Sequence, residues 1–435
     1  MTTITQQHQS PEINAVPLRA ERPAQQRLVD ARCQLCGAGR AEIVLDLGAA
    51  PLLTSIGDAD PDDDHAHDLR LVRCTACGTV QLDDTLATAE RHRIATAVAD
   101  RPFAGRPDVA RQFCEEAIDR WGLRGDGQVI EVGSGTGSLL RFFRAWQLPV
   151  LGIEPDDRLT RYARLRHIPT WRATFDAAIA GRISCAELHA DLLIISTPMG
   201  AFDDLHEMLA ASATILRPGG VMTLELPDVL RLLQRTRIDD CCHANRIIPS
   251  ITQLRQVVTA FGLELIDVER SEVNGECLRV WLRRARRGVN PVEHTRLRAR
   301  LRAEAAAAID DPRTVAAFRQ RVQLVHEQIT SLIDDARRQH CTVAAYGTSG
   351  AAVTLAAAVG LSRPDVAYVV SDVPVTTGTM LPGTTIPIIS AGQASAWRAD
   401  LLLALDDLPD PPAGWEGVPV YAVTDLIDVV HRLTT

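Results

Sequence analysis

Val129-Ile130-Glu131-Val132-Gly133-Ser134-Gly135-Thr136-Gly137-Ser138-Leu139-Leu140 is the stretch on which the fold turns. An apolar strand interrupted by one acid runs into a turn with a glycine at every second position, and a helix starts after it. Gly133, Gly135 and Gly137 have no Cβ, so the backbone there can turn sharply and lie against a ligand. Further on, Val150-Leu151-Gly152-Ile153-Glu154-Pro155 is a second apolar strand closed by a carboxylate. An acid at that point is placed to accept hydrogen bonds from ribose hydroxyls at the carboxyl edge of a parallel sheet.

The dinucleotide fingerprint is G-x-G-x-x-G. Here the third glycine comes one residue early, and Ser138 stands where that fingerprint has glycine. Glu131, just before the loop, suits a cationic, amino-acid-bearing cofactor better than a pyrophosphate. The pattern resembles the S-adenosylmethionine (SAM) cradle of a Rossmann-like methyltransferase. That resemblance implies a cofactor-binding set of Glu131, Gly133, Ser134, Gly135, Gly137, Glu154 and Pro155. A nucleotide cofactor and a ligand-free structural turn are the competing readings.

Strands and helices alternate beyond the loop: 128–132, helix 137–146, 149–153, helix 157–165 and Asp191 to Ile195. Leu205 to Leu216 reads as a helix stopped by Arg217-Pro218-Gly219-Gly220, with a strand at Val221 to Glu225. An amphipathic helix over Asp108 to Gly122 leads in. Such alternation implies a mostly parallel, doubly wound sheet. Residues 290–340 read as long helices, and the arginines at 296, 298, 300 and 302 as a solvated face. A second α/β unit opens at Thr342-Val343-Ala344-Ala345-Tyr346-Gly347. Its Gly347/Gly350 turn is either a phosphate site at a helix N-terminus or a plain strand-to-helix turn.

The chain has 435 residues, room for two or three domains. Net charge is −9 with no basic face, which disfavours phosphate-driven nucleic-acid binding. All 46 basic residues are arginine, so Schiff-base, lysine-base and P-loop mechanisms are excluded. No apolar run reaches the roughly 18 residues of a membrane span. The polar start, Thr2 to Gln9, does not read as a signal peptide, so a cytoplasmic protein is expected. Its ten cysteines are therefore read for metal before disulfides.

Cys33-Gln34-Leu35-Cys36 and Cys74-Thr75-Ala76-Cys77 form a C-x-x-C…C-x-x-C set, each pair followed by a glycine, Gly37 or Gly78. The glycine lets the turn present both thiolates and bring backbone N–H groups to sulfur. Two such knuckles fill a closed, structural tetrahedral zinc site. His65 and His67 read as part of a solvated acidic loop, and Cys114, Cys185, Cys277 and Cys341 as buried small apolar residues.

Zinc knuckles, a SAM domain and a second Rossmann-like unit, in that order, resemble the zinc-containing sugar C-methyltransferases of deoxysugar and antibiotic biosynthesis. The resemblance runs from about Cys33 to about Val430 and rests on specific pieces. These are the knuckles, Glu131 to Gly137, Gly152-Ile153-Glu154-Pro155, Glu225-Leu226-Pro227, Leu278-Arg279-Val280, Tyr346-Gly347 and Leu381 to Ile388. It implies SAM, a nucleotide-linked 4-keto sugar as acceptor, and substrate contacts from Arg279, Tyr346 and Gly347. The family's Tyr-His-Glu-His reaction centre corresponds to Cys242-His243-Ala244-Asn245, so one histidine remains and the usual base is replaced by Asn245. Asparagine cannot accept a proton near neutral pH, whereas imidazole can. The histidine the family carries before Asp204-Leu205-His206 is Ala201 here.

The expectation is an α/β protein: a disordered arm at 1–30, a zinc module at 31–85, a SAM-dependent methyltransferase domain at 86–285, and a helical linker plus Rossmann-like substrate domain at 286–435. His243 and Asn245 are the catalytic candidates, and a nucleotide-linked sugar or related natural-product intermediate is the expected acceptor, with no nucleic acid and no membrane. The alternatives are a SAM-binding protein that does not methylate, and a nicotinamide-dependent reductase using the Gly347 loop.

Overall fold

The structure is a computed structural model that describes residues 28–52, 66–83, 86–99, 106–271, 277–286, 293–372, 375, 378–406, 408, 415–423 and 426. The expected arm lies outside these residues except at Leu28–Asp30, which is a strand. His65 also lies outside them. Of the four cysteines read as buried, Cys114 and Cys277 are buried, whereas Cys185, at the end of its helix, is exposed and Cys341 is half-buried. The chain divides into two compact units, one from Arg22–Asp46 with Leu69–Val322, the other from Leu47–Asp68 with Gln323–Val430.

The central sheet of the first unit is built on β5 (Val129–Val132), β6 (Val150–Glu154), β7 (Thr170–Arg172), β8 (Ala190–Ile195), β9 (Leu216–Leu226), β11 (Leu263–Ser271) and β12 (Cys277–Arg284). Its order is β11-β12-β9-β8-β5-β6-β7, and β12 alone runs antiparallel to its neighbours. Every residue of β5 and β6 is buried. That is the signature of a parallel strand covered on both faces, and it explains why these stretches read as apolar runs without alternation. Phe113, Leu140 and Phe143 cover one face, and Ile179, Ile183, Met208 and Ile215 the other.

The helix Pro107–Trp121 begins on a proline and stops at Gly122, whose φ of +61° is left-handed. Three later helices start on aspartates at the carboxyl edge of the sheet. Asp156, Asp176 and Asp204 accept the N–H groups of Leu159, Ile179 and His206 respectively. The expected stop at 217–220 takes a different form. Strand β9 already begins at Leu216, and Pro218-Gly219-Gly220 bulge out of it: Ala190 pairs with Leu216, and Leu192 with Val221. The sequence signal was a bulge inside a strand, which glycine supplies as readily as a turn.

The zinc module is a sheet of β1 (Leu28–Asp30), β2 (Arg40–Pro51), β3 (Ala66–Cys74) and β4 (Val80–Leu82), extended by β10 (Ile247–Ile248), which pairs antiparallel with β4. In the second unit β13 (Val343–Tyr346), β14 (Val369–Ser371), β15 (Ile388–Ser390), β16 (Leu401–Ala404) and β17 (Val420–Ala422) form an all-parallel sheet ordered β15-β14-β13-β16-β17. Helices Thr295–Ala306 and Pro312–Arg338 occupy the stretch read as long helices. Among the described residues no helix is long and apolar enough to cross a membrane.

Candidate functional site

In the central sheet the chain winds from β5 to β6 and β7 on one side, then returns to β8 on the other. Ligands of doubly wound sheets bind at such a reversal, outside the carboxyl ends of the strands. A cleft of about 220 Å³ lies there, with Gly133, Ile153, Glu154, Pro155, Phe175 and Thr197 among its lining. Gly133, Gly135 and Gly137 all have positive φ, +72°, +54° and +74°. A Cβ on Gly133 would meet Thr197 Oγ1 at 2.2 Å, and one on Gly137 would meet Ile168 Cγ1 at 2.9 Å. The loop thus depends on glycine for conformation and for space.

Glu154 is buried, and its carboxylate receives Gly135 N–H on one oxygen and Asp156 N–H on the other, both at 2.9 Å. It therefore ties β6 to the glycine loop. Glu131 is also buried and accepts the Ser196 hydroxyl at 2.7 Å, joining β5 to the end of β8. Ser134 packs over Gly152, where a Cβ would come within 2.4 Å of its Oγ. The cleft lining also brings in Asp176, Asp203, Asp204 and Glu207; among the described residues no basic side chain lines it, though Arg91 pairs with Asp203. An acidic cleft with a glycine cradle fits the sulfonium and ammonium charges of SAM. Thr197 and the acids from Asp176 onward were not singled out from the sequence. Asp176 and Asp204 cap helices in the structure, and nothing local marks Thr197.

Cys242-His243-Ala244-Asn245 forms a tight turn beside this cleft. Asn245 N–H donates to Cys242 O at 2.8 Å, and its side-chain amide donates to Asp240 O at 3.0 Å. His243 is 3% exposed. The next residue, Arg246, is buried and its guanidinium donates to the carbonyls of Gly200 and Phe202. Gly200 lies so close that a Cβ there would stand 2.8 Å from Arg246 N. Ala201 and Phe202 line the cleft, so the turn is fastened to the cleft wall. His206 does not join it. Its ring nitrogen bonds the Leu35 carbonyl of the first knuckle at 2.7 Å.

Arg279 sits in a cross-strand cluster rather than in the cleft lining. It donates to Glu225 at 2.8 Å and to Ser271 Oγ at 3.0 Å, and stacks over Phe113. In the second unit Tyr346 donates its hydroxyl to Asp372, and burial followed by that bond raises its pKa. The Gly347 turn has a φ of +111°, and Asp406 fills the space a Cβ would take. Asp406 also accepts the backbone N–H and the hydroxyl of Ser349. A carboxylate thus occupies the donors that a phosphate would need at this helix start.

The four knuckle sulfurs lie within 4.8 Å of one another. Cys33 and Cys77 are 3.6 Å apart, as are Cys36 and Cys74. Tetrahedral Zn–S bonds of about 2.3 Å place sulfurs about 3.8 Å apart, so the spacing fits zinc and rules out S–S bonds. Each knuckle turns on a glycine with φ +76°, and its N–H bonds the first cysteine's carbonyl. The N–H groups nearest sulfur come from Cys36 and Ala76 instead. The bond between Cys33 and Cys77 raises the first thiol and lowers the second to about 4. Gln253, in the capping box of helix Ile251–Thr259, accepts the Thr79 hydroxyl and donates to Cys77 O.

Three family models match the chain. A zinc binding domain covers residues 33–91, a methyltransferase domain 106–268, and a C-methyltransferase C-terminal domain 272–406. The C-methyltransferase NovU of Streptomyces niveus is 28% identical over 392 residues, which is 87% of this chain and 90% of that protein. Among solved structures, the magnesium protoporphyrin IX methyltransferase of Synechocystis PCC 6803 with bound SAM is similar at 12% identity, over 42% of this chain and 81% of that one, with a TM-score of 0.30. A SAM-dependent methyltransferase of Thermotoga maritima is similar at 16% identity, over 43% and 98%, also with a TM-score of 0.30.

Proposed function

We propose, for a chain that is a SAM-dependent methyltransferase with the domain set of the zinc-containing C-methyltransferases, that it methylates carbon in a nucleotide-linked keto sugar or a related natural-product intermediate. Its cofactors are SAM and a structural zinc held by the four-cysteine cluster. The observation that carries the acceptor side is Arg246, which fastens the Cys242–Asn245 turn to the wall of the SAM cleft.

SAM supplies an activated methyl group on a sulfonium. The residues of this chain do the rest. Glu154 and the glycine loop would hold the nucleoside end of SAM, and the acidic lining its charged end. His243 would take the proton from the carbon beside the acceptor carbonyl, leaving that carbon nucleophilic toward the methyl group that SAM would supply as its methyl–sulfur bond breaks. Asn245 spends one amide N–H on Asp240 O and keeps the other to polarise the acceptor carbonyl. Positioning contributes heavily to such an in-line displacement, which lets a site with a single histidine serve.

The test is incubation of the protein with SAM and a panel of nucleotide-linked 4-keto sugars, followed by mass spectrometry. One added methyl on one sugar class is expected. The His243→Ala variant should lose about 100-fold in turnover while binding SAM with unchanged affinity. No product across the panel moves the acceptor to another class, and an unchanged rate removes His243 from the chemistry.

A further inference from the structure

The turn that bears His243 belongs to a segment, residues 228–252, that starts and ends on helix N-termini. Asp228 caps the helix Val229–Arg235, accepting Leu230 N–H at 2.9 Å. Glu304, 1% exposed, receives Ile251 N–H and Thr252 N–H, each at 2.9 Å, at the start of helix Ile251–Thr259. One guanidinium joins the two. Arg300 reaches both oxygens of Asp228, at 2.6 and 3.0 Å, and donates its Nε–H to Glu304 at 2.9 Å. Arg321, 7% exposed, holds the far end of the first helix by donating to Leu233 O and to Thr236 Oγ1. None of these groups is itself part of the cleft lining.

Two carboxylates and one arginine in a buried site cost desolvation, and apolar residues of the same volume would serve stability as well or better. What the arrangement supplies is geometry. A planar fork fixes the distance and angle between two helix starts, which a lysine point charge does not. We propose that Arg300 is a positioning residue: through Asp228 and Glu304 it sets the spacing of the two helices. The intervening turn, with His243 and Asn245, then meets the cleft wall in one register. This rests on the reading of that turn as the acceptor side.

The experiment compares full-length wild type, Arg300→Lys, Arg300→Gln and His243→Ala. The readouts are SAM affinity, zinc content, turnover with SAM and the accepted 4-keto sugar nucleotide, and hydrogen exchange. In both Arg300 variants turnover should fall about 100-fold, the loss that a misplacement near 1 Å produces. SAM affinity and zinc content should stay at wild-type values, and exchange should quicken only in peptides spanning 236–250. Lysine should fail to rescue, because it restores charge without the fork. Wild-type turnover in Arg300→Lys, or loosening spread evenly over the protein, overturns the proposal. His243→Ala separates the two readings: if it keeps full activity the acceptor assignment falls. If it is inactive while Arg300→Gln is unimpaired, the positioning role alone falls.

Discussion

A Cβ on Gly133 would stand 2.2 Å from Thr197 Oγ1 and 3.0 Å from Thr197 N, at a φ of +72°. The backbone strain alone is about 1–3 kcal/mol for a non-glycine residue in that region. The methyl must also push the end of β8 away from the loop, and those are the two walls of the cleft. Gly133→Ala should therefore weaken SAM binding at least tenfold, about 1.4 kcal/mol, with zinc content unchanged. Calorimetry giving wild-type affinity would show that the cleft tolerates the side chain. The glycine was legible because its spacing is unusual. Its partner was not, because Thr197 follows a strand that reaches β5 only through the sheet order. Asp176 and Asp204 were silent as cleft lining for the same reason.

At the scale of elements, runs and caps were readable and long-range pairing was not. Proline at the start of helix Pro107–Trp121 and glycine after it mark both ends. Nothing local in Ile247-Ile248 announces that this pair returns to the knuckle sheet. The arginines read as a solvated face on helix Thr295–Ala306 divide in the structure. Arg296 and Arg120 both hold Asp267, which is 1% exposed, and Arg300 turns inward. Burial pushes the Asp267 pKa up, but hydrogen bonds from Arg296 and Arg120 outweigh it and hold the group below its ordinary value. A carboxyl depressed in the folded state contributes stability that is present above its unfolded value, near 3.9. That contribution is lost as pH falls below about 4 and through the folded value. Asp267→Asn should cost about 2–4 kcal/mol at neutral pH, short of a fully buried pair because Arg296 is half exposed. It should also flatten the acid limb of the stability curve. Urea midpoints measured between neutral pH and pH 3 decide this, and parallel curves for the two proteins would remove Asp267 as the cause.

On the scale of the whole chain, the order of zinc module, SAM domain and second α/β unit was legible, because each announces itself by a local motif. The way the modules share structure was not. Cys33, Leu35 and Cys74 belong to the same apolar cluster as Ile130, Val132, Met208 and Leu254. β10 completes the knuckle sheet, Gln253 bonds Thr79 and Cys77, and His206 bonds Leu35. The knuckles thus share the core that backs the cleft, and the residues that reach them come from both sides of the Cys242–Asn245 turn. Zinc binding by such sites contributes folding energy directly, about 10 kcal/mol or more in small domains. A zinc module standing apart could lose its metal without harm to the methyltransferase sheet. Here the loss should propagate. Chelation, or Cys74→Ser, should lower the melting temperature of the SAM domain and abolish SAM binding together, in one transition. Scanning calorimetry and a SAM titration on the same zinc-free sample check it. A zinc-free protein that still binds SAM normally would show the knuckles to be an appendage and not a foundation.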